Sequence, residues 1–76
     1  MMIYVDGAAI QRMREARGMS QNALAEIAGV SQSMIAHIEA GKKQPGVPAL
    51  KQLADCFHLP MDDLLIVADA NYREAR

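Results

Sequence analysis

The sequence predicts a small all-α domain of five helices, and three observations support this prediction. Glycine and proline interrupt the 76-residue chain at short intervals, and the segments between them place apolar residues at helical spacing. Hydroxyl or carboxyl side chains precede three of these segments, where they can cap the free N–H groups of a helix. Beyond the first few residues, almost nothing alternates with the period of two that is typical of a strand.

Each of the five predicted helices has a start signal. Asp6, Ser20 and Ser31 are the predicted N-caps of the first three. Pro48 suits the first turn of the fourth helix, and Pro60 opens a short fifth. The predicted spans are residues 8–17, 21–28, 32–40, 48 to about 57, and 60–65.

The chain is expected to form one domain, because it contains no linker, internal repeat or low-complexity tract. Residues 1–7 are predicted as an N-terminal extension, either a short strand around Tyr4 and Val5 or an extended arm. Residues 8–66 are predicted as the domain itself. Residues 67–76 are predicted as a C-terminal tail that offers a possible dimer contact.

Length and composition argue against several classes of function. A domain of this size buries only about 60% of its unfolded surface, which leaves little room for a substrate pocket. We therefore expect neither an enzyme nor a small-molecule ligand, and we expect no cofactor. Cys56 is the single cysteine, and no spacing resembles a zinc motif, so we expect no metal. Without a signal peptide or an apolar run of about 18 residues, the chain is expected to be cytoplasmic and not membrane-bound.

Charge is distributed unevenly along the chain. The net charge is −1, but residues 1–52 contain six basic and four acidic residues, whereas residues 53–76 contain two basic and five acidic ones. This asymmetry favours one face for a polyanion and another that is kept away from it.

A three-residue turn between the second and third predicted helices is the central observation. Gly29 permits a sharp turn, Val30 fills the angle between the helices, and Ser31 starts the third helix. The pattern matches a helix-turn-helix. Ile35 and Ile38 would then point inward, which leaves a small, polar outer face at positions 32, 33, 36, 37 and 40.

That outer face suits the major groove of DNA. Gln32 can bind adenine through two hydrogen bonds, His37 can donate to guanine, and Ser33 can bind either kind of base edge. Ala36 and Met34 can contact a thymine methyl group. The alternative is a polar helix face that only meets solvent; the position directly after a helix-turn-helix glycine favours DNA.

Residues 8–66 resemble the Cro/cI (XRE-like) family of helix-turn-helix regulators. The matching runs are MREARGMSQ (13–21), LAEIAGVS (24–31) and IAHIEAGKKQP (35–45). The resemblance implies a compact five-helix, lambda-repressor-like fold with helices two and three as the helix-turn-helix. It also implies a regulator, expected to be a repressor from a phage or mobile element, that binds a palindromic operator as a homodimer. The alternative is an antitoxin or docking subunit whose main role is to bind a protein partner.

The resemblance also implies roles for single residues. Gln21 matches a glutamine that clamps a phosphate and braces the recognition helix, while Gln32, Ser33 and His37 occupy base-contacting positions. Ser31 caps the recognition helix near a phosphate. The other implied phosphate contacts are Asn22, Lys42 and Lys43. Arg14 and Glu39 match a structural ion pair between the first helix and the end of the third.

Two departures from the family pattern concern affinity. Position 37 holds His where a longer basic side chain is frequent, and position 32 holds the neutral Gln32. The recognition helix therefore carries no fixed positive charge, which makes dimerisation more important. The expected dimer surface is the fifth helix together with the residues after it, at Leu64, Leu65, Ile66, Val67 and Tyr72. Tyr4 and Val5 are a second candidate, as an exchanged arm; the alternative is that both ends only cover their own core.

Overall fold

Four α-helices pack around one apolar core in a computed structural model of the chain, which describes residues 2–68. A two-stranded antiparallel sheet joins the two ends of this region. The elements in chain order are strand β1 (Met2–Val5), helices α1 (Gly7–Ala16), α2 (Gln21–Ala28), α3 (Gln32–Glu39) and α4 (Val47–Phe57), a 3₁₀ turn (Met61–Leu64) and strand β2 (Leu65–Ala68).

The prediction of five α-helices is wrong at the fifth, which is the single 3₁₀ turn Met61–Leu64. Four residues between Pro60 and a strand leave no length for an α-helix. The prediction of an all-α fold is also incomplete, because residues 65–68 form a strand. Their run of Leu, Ile and Val favours extended structure once a second strand is available for pairing.

The N-terminal extension takes the form of a strand over residues 2–5. It pairs with β2 in a register that runs from Met2 opposite Ala68 to Val5 opposite Leu65. The backbone N–H of Asp6 continues the ladder by donating to the carbonyl oxygen of Leu64 at 2.8 Å. The two ends of the described region therefore hold each other in place.

The three predicted N-caps are confirmed. Asp6 Oδ1 accepts a hydrogen bond from the N–H of Ala9 at 3.0 Å, and Ser20 Oγ accepts one from Ala23 at 3.0 Å. Ser31 Oγ accepts from Met34 at 3.1 Å. Each bond satisfies one of the backbone donors that a helix N-terminus leaves free, so these side chains fix where α1, α2 and α3 begin.

The core is aliphatic apart from one phenylalanine. Its largest fully buried side chains are Ile10, Leu24, Ile35, Ile38, Leu53, Phe57 and Leu64. Ile35 and Ile38 attach α3 to the rest of the molecule, as the sequence predicts. The opposite face of α3 is left for the candidate site.

Gly7 permits a close approach between α1 and α3. A Cβ atom at this position would overlap the carbonyl oxygen of Ile38 and come within 3.0 Å of that of Glu39. The first turn of α1 therefore lies directly against the last turn of α3. This contact sets the position of the C-terminal end of α3, where the candidate site ends.

Candidate nucleic-acid interface

The exposed face of α3 carries three of the predicted base-contacting side chains. Gln32, Ser33 and His37 are exposed, and Ala36 is half-buried. Gly29 ends α2 with a φ of 73°, a left-handed backbone conformation that residues other than glycine adopt only at a cost. This conformation turns the chain from α2 into α3. The result is a small polar surface on a rigid helix.

Met34 does not belong with these exposed side chains. It is half-buried and packs against the hydrophobic core. Its backbone N–H is also the donor that Ser31 caps. Met34 therefore contributes to the packing of α3, and its contact with bases stays a prediction.

Arg14 and Glu39 form the ion pair that the resemblance implies, between α1 and the end of α3. Arg14 Nε donates to Glu39 Oε2 at 2.7 Å, and Nη2 donates to Oε1 at 3.1 Å. Nη1 donates to the carbonyl oxygen of Met19 at 2.8 Å. The two side chains are 11% and 3% exposed. The hydrogen bonds to Glu39 raise the pKa of Arg14 above its usual value, so Arg14 stays charged at neutral pH.

A chain of hydrogen bonds leads from this ion pair to the exposed face of α3. Gln21 Nε2 donates to Glu39 Oε1 at 3.0 Å, and Gln32 Nε2 donates to Gln21 Oε1 at 2.6 Å. The carboxylate of Glu39, paired with Arg14, only accepts hydrogen bonds. Gln21 must therefore turn its NH₂ group towards Glu39, and its oxygen is left for Gln32.

The hydrogen bond to Gln21 also determines which groups of Gln32 remain free for a ligand. One of its two N–H donors is used by Gln21, so a second N–H and the carbonyl oxygen remain free. A donor beside an acceptor is the arrangement that the N7 and N6 positions of adenine require in the major groove. Gln21 likewise keeps one N–H that neither Glu39 nor Gln32 occupies.

The loop after α3 continues this surface with two positive charges. Gly41 donates its N–H to Ile38 at 3.0 Å, and Lys42 donates its own to the carbonyl oxygen of His37 at 2.8 Å. Lys43 donates to the same oxygen at 3.3 Å. These bonds close the end of α3 in a Schellman-type turn, so Lys42 and Lys43, both exposed, start at fixed positions relative to His37.

The remaining predicted phosphate contacts lie at helix N-termini. Asn22 is exposed in the first turn of α2, and Ser31 is exposed at the start of α3 with its Oγ 3.3 Å from Ser33 Oγ. The bond between Gln32 and Gln21 brings these two helix starts together. Each of these first turns leaves backbone N–H groups without a partner in the helix and carries the positive end of a helix dipole.

Gln44 takes part in a long-range contact that the sequence analysis missed. Its Oε1 accepts a hydrogen bond at 2.7 Å from the backbone N–H of Val5, which is 39 positions away. No motif or spacing in the sequence links these two residues, because the sequence around a loop glutamine does not indicate which distant residue it binds.

The expected dimer surface is only partly available. Leu64 is 0% exposed and belongs to the core, so its assignment to a dimer contact is wrong: its side chain is already packed. Leu65 and Ile66 are half-buried on β2. Val5 is 7% exposed and belongs to the core, whereas Tyr4 is 37% exposed.

Two of the dimer predictions cannot be placed. The side chain of Val67 and the whole of Tyr72 lie outside the described residues, as does most of the predicted tail over residues 67–76.

The described region shows neither a pocket nor a group of three or more potential metal ligands. Within residues 2–68, no helix has the length and apolar character needed to cross a membrane.

Comparison with known proteins agrees with this geometry. A helix-turn-helix family model matches residues 10–64. The P22 c2 repressor, solved in complex with a synthetic operator, is 28% identical with a TM-score of 0.73, and the match covers 76% of this chain and 88% of the repressor chain. No curated protein sequence matches the chain.

Two further regulators are similar over 76% of this chain. The restriction-modification controller protein C.AhdI from Aeromonas hydrophila is 26% identical, with a TM-score of 0.69 and 88% of its chain covered. SinR, solved in complex with DNA, is 29% identical, with a TM-score of 0.68 and 94% of its chain covered. SinR is also solved in a complex with the SinI protein. With the family model covering most of its length, the chain belongs to the helix-turn-helix family of Cro/cI-type DNA-binding transcriptional regulators.

Proposed function

We propose that this protein is a repressor that binds a palindromic operator as a homodimer, with α3 in the major groove. The observation that carries the proposal is the free donor and acceptor of Gln32, held outward by Gln21 and the buried Arg14–Glu39 pair. The operator-bound P22 c2 repressor and DNA-bound SinR, which this chain resembles, support it.

Base recognition is assigned to four side chains of α3. Gln32 binds adenine with two hydrogen bonds, which discriminate against other bases by about 1–3 kcal/mol. His37 donates to guanine, and Ser33 bonds to either kind of base edge. Ala36, which is half-buried, offers its methyl group to thymine.

Phosphate contacts are assigned to the rim of this surface. Lys42 and Lys43 contribute positive charge from the loop, and Asn22 and Ser31 contribute hydrogen bonds at the helix N-termini. Gln21 contributes its remaining N–H. Because α3 itself has no fixed positive charge, these contacts supply the sequence-independent, salt-dependent part of the affinity.

Dimerisation is assigned to the two-stranded sheet, at Leu65, Ile66 and Val67 of β2, and to Tyr72. A homodimer supplies the two-fold symmetry that a palindromic operator matches. It also doubles the set of base contacts, which compensates for the absence of a fixed positive charge on α3.

Selection from a pool of random duplexes at about 0.15 M salt tests the proposal. We expect two inverted half-sites whose centres lie about 10 base pairs apart, or a multiple of that spacing. Binding without any enriched sequence, lost steadily as salt rises, would contradict sequence-specific recognition and leave only an electrostatic surface.

A protein partner is the second candidate, as for an antitoxin or a docking subunit. Three large apolar side chains outside the two strands are exposed: Ile27 at 43%, Val47 at 67% and Met61 at 36%. SinR, which this chain resembles, is known in complex with another protein as well as with DNA. A second protein that co-purifies with the chain at a fixed ratio, and is lost on Val47→Asp, would favour this function.

A further inference from the structure

We infer that Gln44 is a positioning residue for DNA binding: it ties the loop of Lys42 and Lys43 to strand β1 and so holds both lysines at the phosphate backbone. The inference rests on the proposed phosphate contacts of this loop. It also gives the small sheet a role in DNA binding, although the sheet itself touches no DNA in the proposed complex.

The hydrogen bond from Val5 uses the edge of β1 that β2 does not occupy. Asp6 donates its N–H to Leu64 across the ladder, so the N–H of the preceding residue points to the opposite side of the strand. There it meets Gln44 Oε1 at 2.7 Å. Val5 is 7% exposed, so water has little access to this donor. Gln44 thus supplies a partner that a buried backbone group needs.

The loop between α3 and α4 is consequently fixed at both of its ends. At its start, the carbonyl oxygen of His37 accepts the N–H groups of Lys42 at 2.8 Å and Lys43 at 3.3 Å. At its end, Gln44 is bound to β1, and Pro45 with its restricted φ comes next. A loop held in this way loses little conformational entropy when its lysines bind phosphate, which favours binding.

Strand β1 is a firm anchor for this contact. It is paired with β2 over four residues, and both Val5 and Leu64 are core side chains. The geometry therefore connects the phosphate-contacting loop to the centre of the domain through the exposed side chain of Gln44.

Gln44→Met tests the inference, because methionine has a similar length but lacks the strong acceptor. Gln52→Met is the matched control, since Gln52 is an exposed glutamine on α4 for which the structure shows no hydrogen bond within the described region. Dissociation constants are measured for the selected operator duplex and for a duplex of unrelated sequence, between about 50 and 200 mM salt.

We expect Gln44→Met to weaken binding to both duplexes by a similar factor of about 3 to 10, and to flatten the salt dependence by up to the slope of about 0.9 that one phosphate contributes. The sequence preference should not change. Lys42→Ala should cost less in the Gln44→Met background than in the wild type, because an unpositioned lysine contributes less. Gln52→Met should match the wild type throughout.

The two ways of failing are distinguishable. If Lys42→Ala and Lys43→Ala leave affinity and salt slope unchanged, the phosphate role of the loop is wrong, and the inference with it. If the lysines matter but Gln44→Met changes neither affinity nor slope, while amide exchange at Val5 accelerates, then Gln44 only closes the strand edge and the inference is overturned. Should Gln44→Met fail to fold, Gln44→Asn, one methylene shorter, provides the same comparison.

Discussion

Gln32 shows how a buried charge can determine what an exposed side chain offers. The carboxylate of Glu39, bound to Arg14, dictates the orientation of the Gln21 amide, and Gln21 dictates that of Gln32. The ion pair therefore has two roles, one in stability and one in presenting a donor beside an acceptor. These two roles can be separated by mutation.

Arg14→Met removes one partner of a buried pair and leaves the charge of Glu39 uncompensated. We expect a loss of about 3–5 kcal/mol in the free energy of unfolding, measured by urea denaturation. Arg14→Met with Glu39→Met removes both charges, and much of that stability should return because an apolar pair can replace an ionic one.

The double variant should nevertheless bind DNA with less preference for adenine at the Gln32 position, since Gln21 has lost the acceptor that orients it. This preference is measured as the ratio of the affinities of the refolded double variant for the operator and for an operator with that one base changed. An unchanged preference would show that Gln32 is oriented without the ion pair.

Helices α1 and α3 approach each other closely because Gly7 has no side chain. Gly7→Ala would place a Cβ atom against the backbone carbonyl of Ile38, which cannot rotate away. We expect a loss of about 1–3 kcal/mol, the range for overpacking. Gly46→Ala is the matched control, because its Cβ would lie 3.7 Å from its nearest neighbour, the Pro48 side chain, at ordinary contact distance. Thermal unfolding of the two variants compares them, and equal midpoints would refute the close approach.

Helix α4 ends on a residue in a conformation that favours glycine. His58 has a φ of 58°, and the N–H of Leu59 reaches back to Ala54 at 2.9 Å, as in the turn after α3. His58→Gly should raise the free energy of unfolding by about 0.5–1 kcal/mol, because the left-handed conformation costs glycine nothing. Chemical denaturation measures the change; a loss of stability would mean that the His58 side chain makes a contribution of its own.

Elements that depend on contacts between residues close in sequence were predictable, and elements that depend on contacts between distant residues were not. The caps at Asp6, Ser20 and Ser31 bond to N–H groups three positions away, so sequence alone locates them. Residues 64–67 are an apolar run that fits a core, a dimer contact or a strand equally well. Only the presence of β1, whose residues lie 60 to 66 positions before their partners, selects the strand.

The residues of the candidate site show the same difference between local and long-range contacts. Helical periodicity placed Gln32, Ser33 and His37 on an exposed face. The bond between Gln44 and Val5 depends on how a loop and a strand meet in three dimensions, and no local pattern encodes it. Met34 lies at the border between the buried and exposed faces of α3, where helical periodicity leaves the role of a residue undecided.

The protein is expected to function as a homodimer. We predict that the chain sediments as a dimer at micromolar concentration and that Ile66→Lys, on β2, shifts it to monomer by placing a charge in the interface. Ile27→Lys, at an exposed apolar position on α2, is the control and should remain dimeric. Analytical ultracentrifugation distinguishes these states. A monomeric wild type, or a dimer lost only in Ile27→Lys, would refute the sheet as the interface.

A single measurement tests the central claim, that α3 recognises bases through a glutamine oriented from the core. Random-duplex selection is performed with the wild type, with Gln32→Ala and with the control Gln52→Ala on α4. We expect Gln32→Ala to lose the preference for adenine at one position of each half-site, a discrimination of about 1–3 kcal/mol, while the other positions and the Gln52→Ala logo stay as in the wild type. Identical logos for all three proteins would contradict it.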